Sequence, residues 1–186
     1  MTEGLHVHHS NKRIAVLIAV LAALLALAEA GGKSALHAAL ARNIEASDLW
    51  SFFQAKTVRI TVVRTASELV ESTFGGPLAG EQKARMDKQL AAWRENIARW
   101  DSEADTREGR KELMVRAHAA EEKRDRAEAA YHAYELSSGL LQIAIVLASA
   151  SVVTGVVMLA YGAGGLGLVG VAFALLGWFG PTLLHL

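Results

Sequence analysis

Few residues in this chain could do chemistry, and the first is a lone carboxylate. Glu29 closes a run of alanines at helical spacing, Ala15, Ala19, Ala22 and Ala26, in a segment that carries no other charge from residue 14 onward. A carboxylate within lipid suits a proton relay, an ion site or a substrate contact. Its position argues for something simpler. Glu29 lies about 22 Å along a helix from Ile14, close to the far edge of an apolar core about 30 Å thick. Lys33 follows four residues later, in the favourable Glu-to-Lys order, so an interfacial ion pair of Glu29 with Lys33 is expected rather than a transport site.

Histidines are the next ligand-capable group. His6, His8 and His9 form a His-rich tail whose neutral imidazoles could hold a transition metal weakly, although a polar tail accounts for the same composition. His118 with Glu122, and Glu128 with His132, are i,i+4 pairs, and His118, Asp125 and His132 repeat every seven residues. Successive members of that line stand about 10 Å apart, too far for one mononuclear site. No metal site is therefore expected there. Two G-x-G-x-x-G matches, Gly162/Gly164/Gly167 and Gly165/Gly167/Gly170, lack the preceding strand and the later acidic residue of a dinucleotide fingerprint. No nucleophile elbow, metalloprotease helix or phosphate loop is present. The expectation is a protein that is not an enzyme, with no catalytic residue and no cofactor.

The elements that would position these residues come from the charge distribution. The chain has 186 residues, zero formal net charge and 52% hydrophobic residues. Every Lys and Arg lies between Lys12 and Arg126, and no Asp, Glu, Lys or Arg follows Glu135. The apolar remainder is long enough for two membrane passes of about 20 residues. With no cysteine, disulfides and thiolate metal sites are excluded. Balanced charge removes the footprint of a nucleic-acid binder.

The pattern predicts an all-α integral membrane protein with three transmembrane helices and a long, coiled-coil-like extramembrane domain between the first and second. A polar His-containing tail spans 1–13, and transmembrane helix 1 spans 14–32. The extramembrane domain spans 33–138, and an apolar helical hairpin spans 139–186 with its turn at 161–165. A basic start, an apolar run and Ala28-x-Ala30 also fit a cleavable secretory signal, but the run is at the long end for one, and a retained anchor is the reading taken. Each apolar segment carries a small-residue stripe that lets helices approach closely in lipid. The stripes are Ala15, Ala19, Ala22 and Ala26; Ala144, Ala148, Ser151 and Gly155; and Gly167, Gly170, Ala174 and Gly177.

Within 33–138, Leu36, Leu40 and Ile44, then Val58, Val62, Thr65 and Leu69, recur at helical spacing. The β-branched run 57–63 could suit a strand but has no partner to pair with. Breaks are expected at 74–80 and 101–109. Met86, Leu90, Trp93, Ile97 and Trp100 alternate spacings of four and three, as a coiled-coil seam does. Leu113, Ala117, Ala120, Ala127, Tyr131 and Tyr134 form a second seam. Its register runs on into Leu141, which predicts a helix roughly 80 Å long from about residue 107.

The stretch 11–68, NKRIAVLIAVLAALLALAEAGGKSALHAALARNIEASDLWSFFQAKTVRITVVRTASE, resembles a bacterial membrane-protein family of unknown function, the DUF4337 family. Asn43 to Trp50 followed by Phe53 to Lys56 is its most specific part. The resemblance implies a bacterial inner-membrane protein and no activity. Lys123, Arg124 and Arg126 before the second segment, with an uncharged 161–165, favour a cytoplasmic extramembrane domain. The expected function is a scaffold or accessory protein in the lipid bilayer. It would form a homo-oligomer or join an unidentified membrane-protein partner. The alternative is a small channel or transporter subunit with Glu29 and the hydroxyl line Ser149, Ser151 and Thr154 along its path.

Overall fold

A computed structural model describes residues 3–74, 76 and 79–183, with side chains from residue 12 onward. The elements are α1 (Glu3–Phe74), α2 (Gly80–Asp101), α3 (Arg110–Thr154), α4 (Val157–Phe179) and a 3-10 turn, Pro181–Leu183. No strand occurs among the described residues. The β-branched run 57–63 is helical, and its hydroxyls bond back along the same helix. Thr57 Oγ1 donates to the Phe53 carbonyl at 2.8 Å and Thr61 Oγ1 to that of Thr57 at 2.9 Å. The domain breaks fall between the end of α1 at Phe74 and the start of α2 at Gly80, and at 102–109. Three helices, Lys12–Phe74, Arg110–Thr154 and Val157–Phe179, are long and apolar enough to cross a membrane.

The chain divides into two compact units, Met1–Ala41 with Lys123–Leu186, and Arg42–Glu122. In the first, large side chains of α1 meet small ones of α3 and α4. Ile14, Leu21 and Ala28, one residue in seven, form the buried edge of α1, flanked by half-buried Leu17, Leu24 and Leu25. Opposite them are Ala144 and Ala148 of α3 and Ala163 of α4. A Cβ on Gly167 would stand 2.5 Å from the Leu21 side chain. Tyr134 of α3 lies across Gly31, where a Cβ would meet its ring at 2.7 Å. That contact explains why two consecutive glycines stand in mid-helix without breaking it.

One expectation is corrected here. The hairpin turn lies at Gly155 and Val156, and 161–165 belong to the first turns of α4. Glycine-rich composition suggested a turn at 161–165, but Gly162, Gly164 and Gly165 are helical, and a Cβ on any of them would meet nothing within 4 Å. The reversal is made by Gly155, whose φ of +75° is disfavoured for any residue with a Cβ. Ser151 Oγ donates to the Val156 carbonyl at 2.9 Å, and the Val156 N–H donates to Thr154 Oγ1 at 3.3 Å. Gly155 is therefore a turn residue and not a packing residue. The α1 stripe, expected to pack within one chain or between chains, is not used within this one: Ala15, Ala19, Ala22 and Ala26 are all exposed. Leucines supply the α1 side of the bundle because the glycines and alanines of α3 and α4 already leave room for them.

In the second unit, α1 turns a seam of Ala46, Leu49, Phe53, Lys56, Ile60, Val63 and Ser67 inward, at spacings of three and four. Of the apolar residues that recur at helical spacing along α1, Ile44 (63% exposed), Val58 (62%), Val62 (60%) and Leu69 (63%) point outward, with Leu36 and Leu40 exposed further up α1. Met86, Leu90, Trp93, Ile97 and Trp100 of α2 are buried or half-buried. Arg59 stacks on Trp100 at 5.3 Å, and Arg94 pairs with Glu71 at 3.1 Å.

The α2–α3 junction is closed by charge. Asp101, the last residue of α2, meets Arg110 at 2.6 Å and Lys111 at 2.9 Å. The hydrogen bond from Lys111, aided by Arg110, holds the Asp101 carboxyl below its ordinary value. A depressed carboxylate contributes stability above the unfolded-state pKa and loses it as pH falls through the folded-state pKa. Asp101→Asn should therefore cost on the order of 1 kcal/mol at neutral pH and nothing below the carboxylate range. Melting curves of both proteins across that pH range check this, and a gap between them independent of pH would refute it.

Candidate functional site

Glu29 and Lys33 are both exposed, and among the described residues no ion pair joins them. The expected interfacial pair is corrected on this point. Ala28 and Gly32 turn inward on this helix, and Glu29 and Lys33, each one residue (100° of rotation) further on, turn outward. Glu29 thus continues the exposed alanine line of α1. The proposed hydroxyl path is engaged locally: Ser149 Oγ donates to the Ile145 carbonyl and Thr154 Oγ1 to that of Ala150, both at 2.8 Å. Ser151 is buried and bonded to the turn.

Of the small-residue stripes, Ala144, Ala148, Gly167, Gly170 and Gly177 are buried between helices and Ala174 is half-buried. The glycine triplets of the dinucleotide-like matches all lie inside α4. His6, His8 and His9 lie outside the residues whose side chains are described. Among the described residues no cluster of three ligand-capable side chains could hold a metal ion.

One polar constellation was not foreseen. Trp50 Nε1 donates to Glu121 Oε1 at 2.8 Å, and His118 Nδ1 lies 3.0 Å from the second oxygen of the same carboxylate. The Trp50 ring packs edge-on against His118 at 5.2 Å and against Phe53 at 5.3 Å. His118 therefore pairs with Glu121 and not with Glu122, and His132 stands by Glu135 at 3.6 Å and not by Glu128. At i,i+3 the carboxylate lies beside the ring's Nδ1, and the Trp50 indole fixes Glu121 there. Beneath the constellation, Ala46, Leu49, Leu113, Ala117 and Ala120 make the buried core of this unit. The Trp50–Glu121 hydrogen bond clamps α1 to α3. Trp50 and Phe53 fall in the segment that carries the family resemblance. Their partner lies 71 residues away, where spacing gave no signal.

A family model described as a domain of unknown function, DUF4337, matches residues 10–180. That reaches well beyond the 11–68 stretch where the resemblance is closest. No curated protein and no solved structure matches the chain.

Proposed function

The chain belongs to the DUF4337 family, and from its own residues we propose that it is a non-enzymatic scaffold or accessory protein of the bacterial inner membrane, built to self-associate. On this reading the apolar parts of α1, α3 and α4 cross the bilayer, and 33–138 stand outside it, on the cytoplasmic side. Near-membrane Lys123, Arg124 and Arg126 support that sidedness.

The observation that carries the proposal is the second apolar seam of α1. Val58, Val62, Thr65 and Leu69 recur at four, three and four residues, opposite to the seam that packs internally, and are left exposed. Outside lipid, such a stripe at helical spacing is the signature of a helix that pairs with another. The exposed alanine line Ala15, Ala19, Ala22 and Ala26 offers a close-approach face within the bilayer. Contacts between copies through these two faces would give a homo-oligomer.

The test is the mass of the detergent-solubilised protein, by light scattering, for the wild type and for Val58→Glu with Val62→Glu. A multimer that dissociates in the double variant while helicity is retained supports the proposal. A strict monomer in the wild type sinks it. A wild-type multimer unmoved by the variant removes the α1 seam as its cause.

A further inference from the structure

Between α1 and α4, backed by α3, runs an apolar groove of about 530 Å³. Leu24, Leu27, Val171 and Leu175 line its walls, with Tyr134 and Leu141 behind. A second hollow of about 320 Å³ adjoins it, and the two share Gly31, Ser34, Tyr134 and Trp178. The missing Cβ at Gly31 lets Tyr134 lie across α1. Trp178 is 72% exposed, at the groove's lip.

The second hollow differs in chemistry. Lys123 and Arg126 of α3 line it, and no carboxylate does. Neither cation has an ion-pair partner among the described residues. Asp125, which lies between them in the sequence, is held by Arg124 at 2.7 Å. The two adjoining hollows are therefore apolar on one side, bordered by Tyr134 and Trp178 where they share a wall, and cationic on the other. Those are the successive requirements of an acyl chain, a glycerol backbone and an anionic headgroup at a membrane interface. The volume is in the range of small-ligand sites.

We propose that this groove is a binding site for an anionic glycerophospholipid drawn from the surrounding bilayer. The acyl chain lies between α1 and α4, and the phosphate is held by Lys123 and Arg126. The inference rests on the membrane reading above.

The test uses the full chain in mild detergent, titrated with phosphatidylglycerol or with phosphatidylcholine of the same acyl composition and read by native mass spectrometry. The wild type should bind phosphatidylglycerol about tenfold more tightly, as two near-surface cations allow. Lys123→Ala with Arg126→Ala should abolish the preference while leaving weak, headgroup-blind binding. Ser34→Phe, at an exposed position where the two hollows meet, should lose both. Equal binding of the two lipids by the wild type, or a preference that survives either variant, overturns the proposal. The chain has no native cysteine, so Ser34→Cys is a clean probe for a protein occupant. Disulfide cross-linking between copies at that position in liposomes would show a second chain covering the groove, and would overturn it too. Release of the protein from membranes by alkaline carbonate would instead remove the membrane reading. Firm retention without lipid preference removes only the site.

Discussion

Gly170→Leu should prevent α3 and α4 from closing and lower the stability of the apolar unit by about 3 kcal/mol. A Cβ at Gly170 would stand 3.0 Å from Leu141 Cγ and 3.3 Å from the Ser137 carbonyl oxygen. The first neighbour is a side chain that can give slightly. The second is backbone in the middle of a helix and cannot. Leucine adds three further carbons beyond that Cβ, so the two helices must separate. The turn at Gly155 and Val156 leaves α4 no slack to retreat along its axis. Separation also loosens Gly167 on Leu21 and Gly177 on Tyr134, which lie along the same line of α4. In lipid these contacts are most of what holds helices together, because hydrophobic burial does not drive them to associate. Gly170→Ala adds only the Cβ and should cost roughly a third as much. Thermal melts in detergent should rank wild type above Ala above Leu. A Leu variant that melts with the wild type would show that this approach is not what limits stability.

Which residues make such contacts was only partly legible in the sequence. The small-residue stripe of α4 could be found because every fourth or third residue there is glycine or alanine, and nothing else on the helix competes. On α1 the same rule selected Ala15, Ala19, Ala22 and Ala26, which are exposed, because that helix presents two faces fit for packing. Small meets large across a helix interface. Once α3 supplies alanines and α4 glycines, α1 must supply leucines, and no pattern within α1 alone can decide that. The second unit repeats the difficulty. Both the inward seam through Leu49, Phe53 and Ile60 and the outward one through Val58, Val62 and Leu69 keep three-four spacing. The first is buried because Trp50 reaches Glu121, a pairing across 71 residues that periodicity cannot register. The hairpin turn was misplaced for a related reason. Glycine marks a bend and a close approach equally well, and of those in this stretch only Gly155 takes the left-handed conformation. The breaks between Phe74 and Gly80 and at 102–109 were legible because both interrupt strongly periodic helices with polar or Gly/Pro-rich sequence.

The other large effect is expected in the second unit, at Leu113. Its side chain is fully buried at the start of α3, and its buried neighbours are Ala46, Leu49, Ala117 and Ala120, with Trp50 and Phe53 packed alongside. Three of the four buried neighbours are alanines, which have no rotamer with which to fill a void. Trp50 is held by its bond to Glu121 and its edge-on packing against His118 and Phe53, so it cannot swing in without breaking those contacts. Leu113→Ala should therefore leave most of its volume as a cavity and fall in the upper part of the range for such substitutions, about 4 kcal/mol. Leu113→Met keeps the volume and should cost less than about 1.5 kcal/mol. Amide hydrogen exchange of the full chain locates the loss. Protection should fall within 42–122, while the buried line of α4 through Gly167 and Gly177 keeps its own. If Leu113→Ala is as stable as Leu113→Met, the neighbouring helices close over the gap. The Trp50–Glu121 clamp would then be too weak to hold α1 and α3 at a fixed spacing.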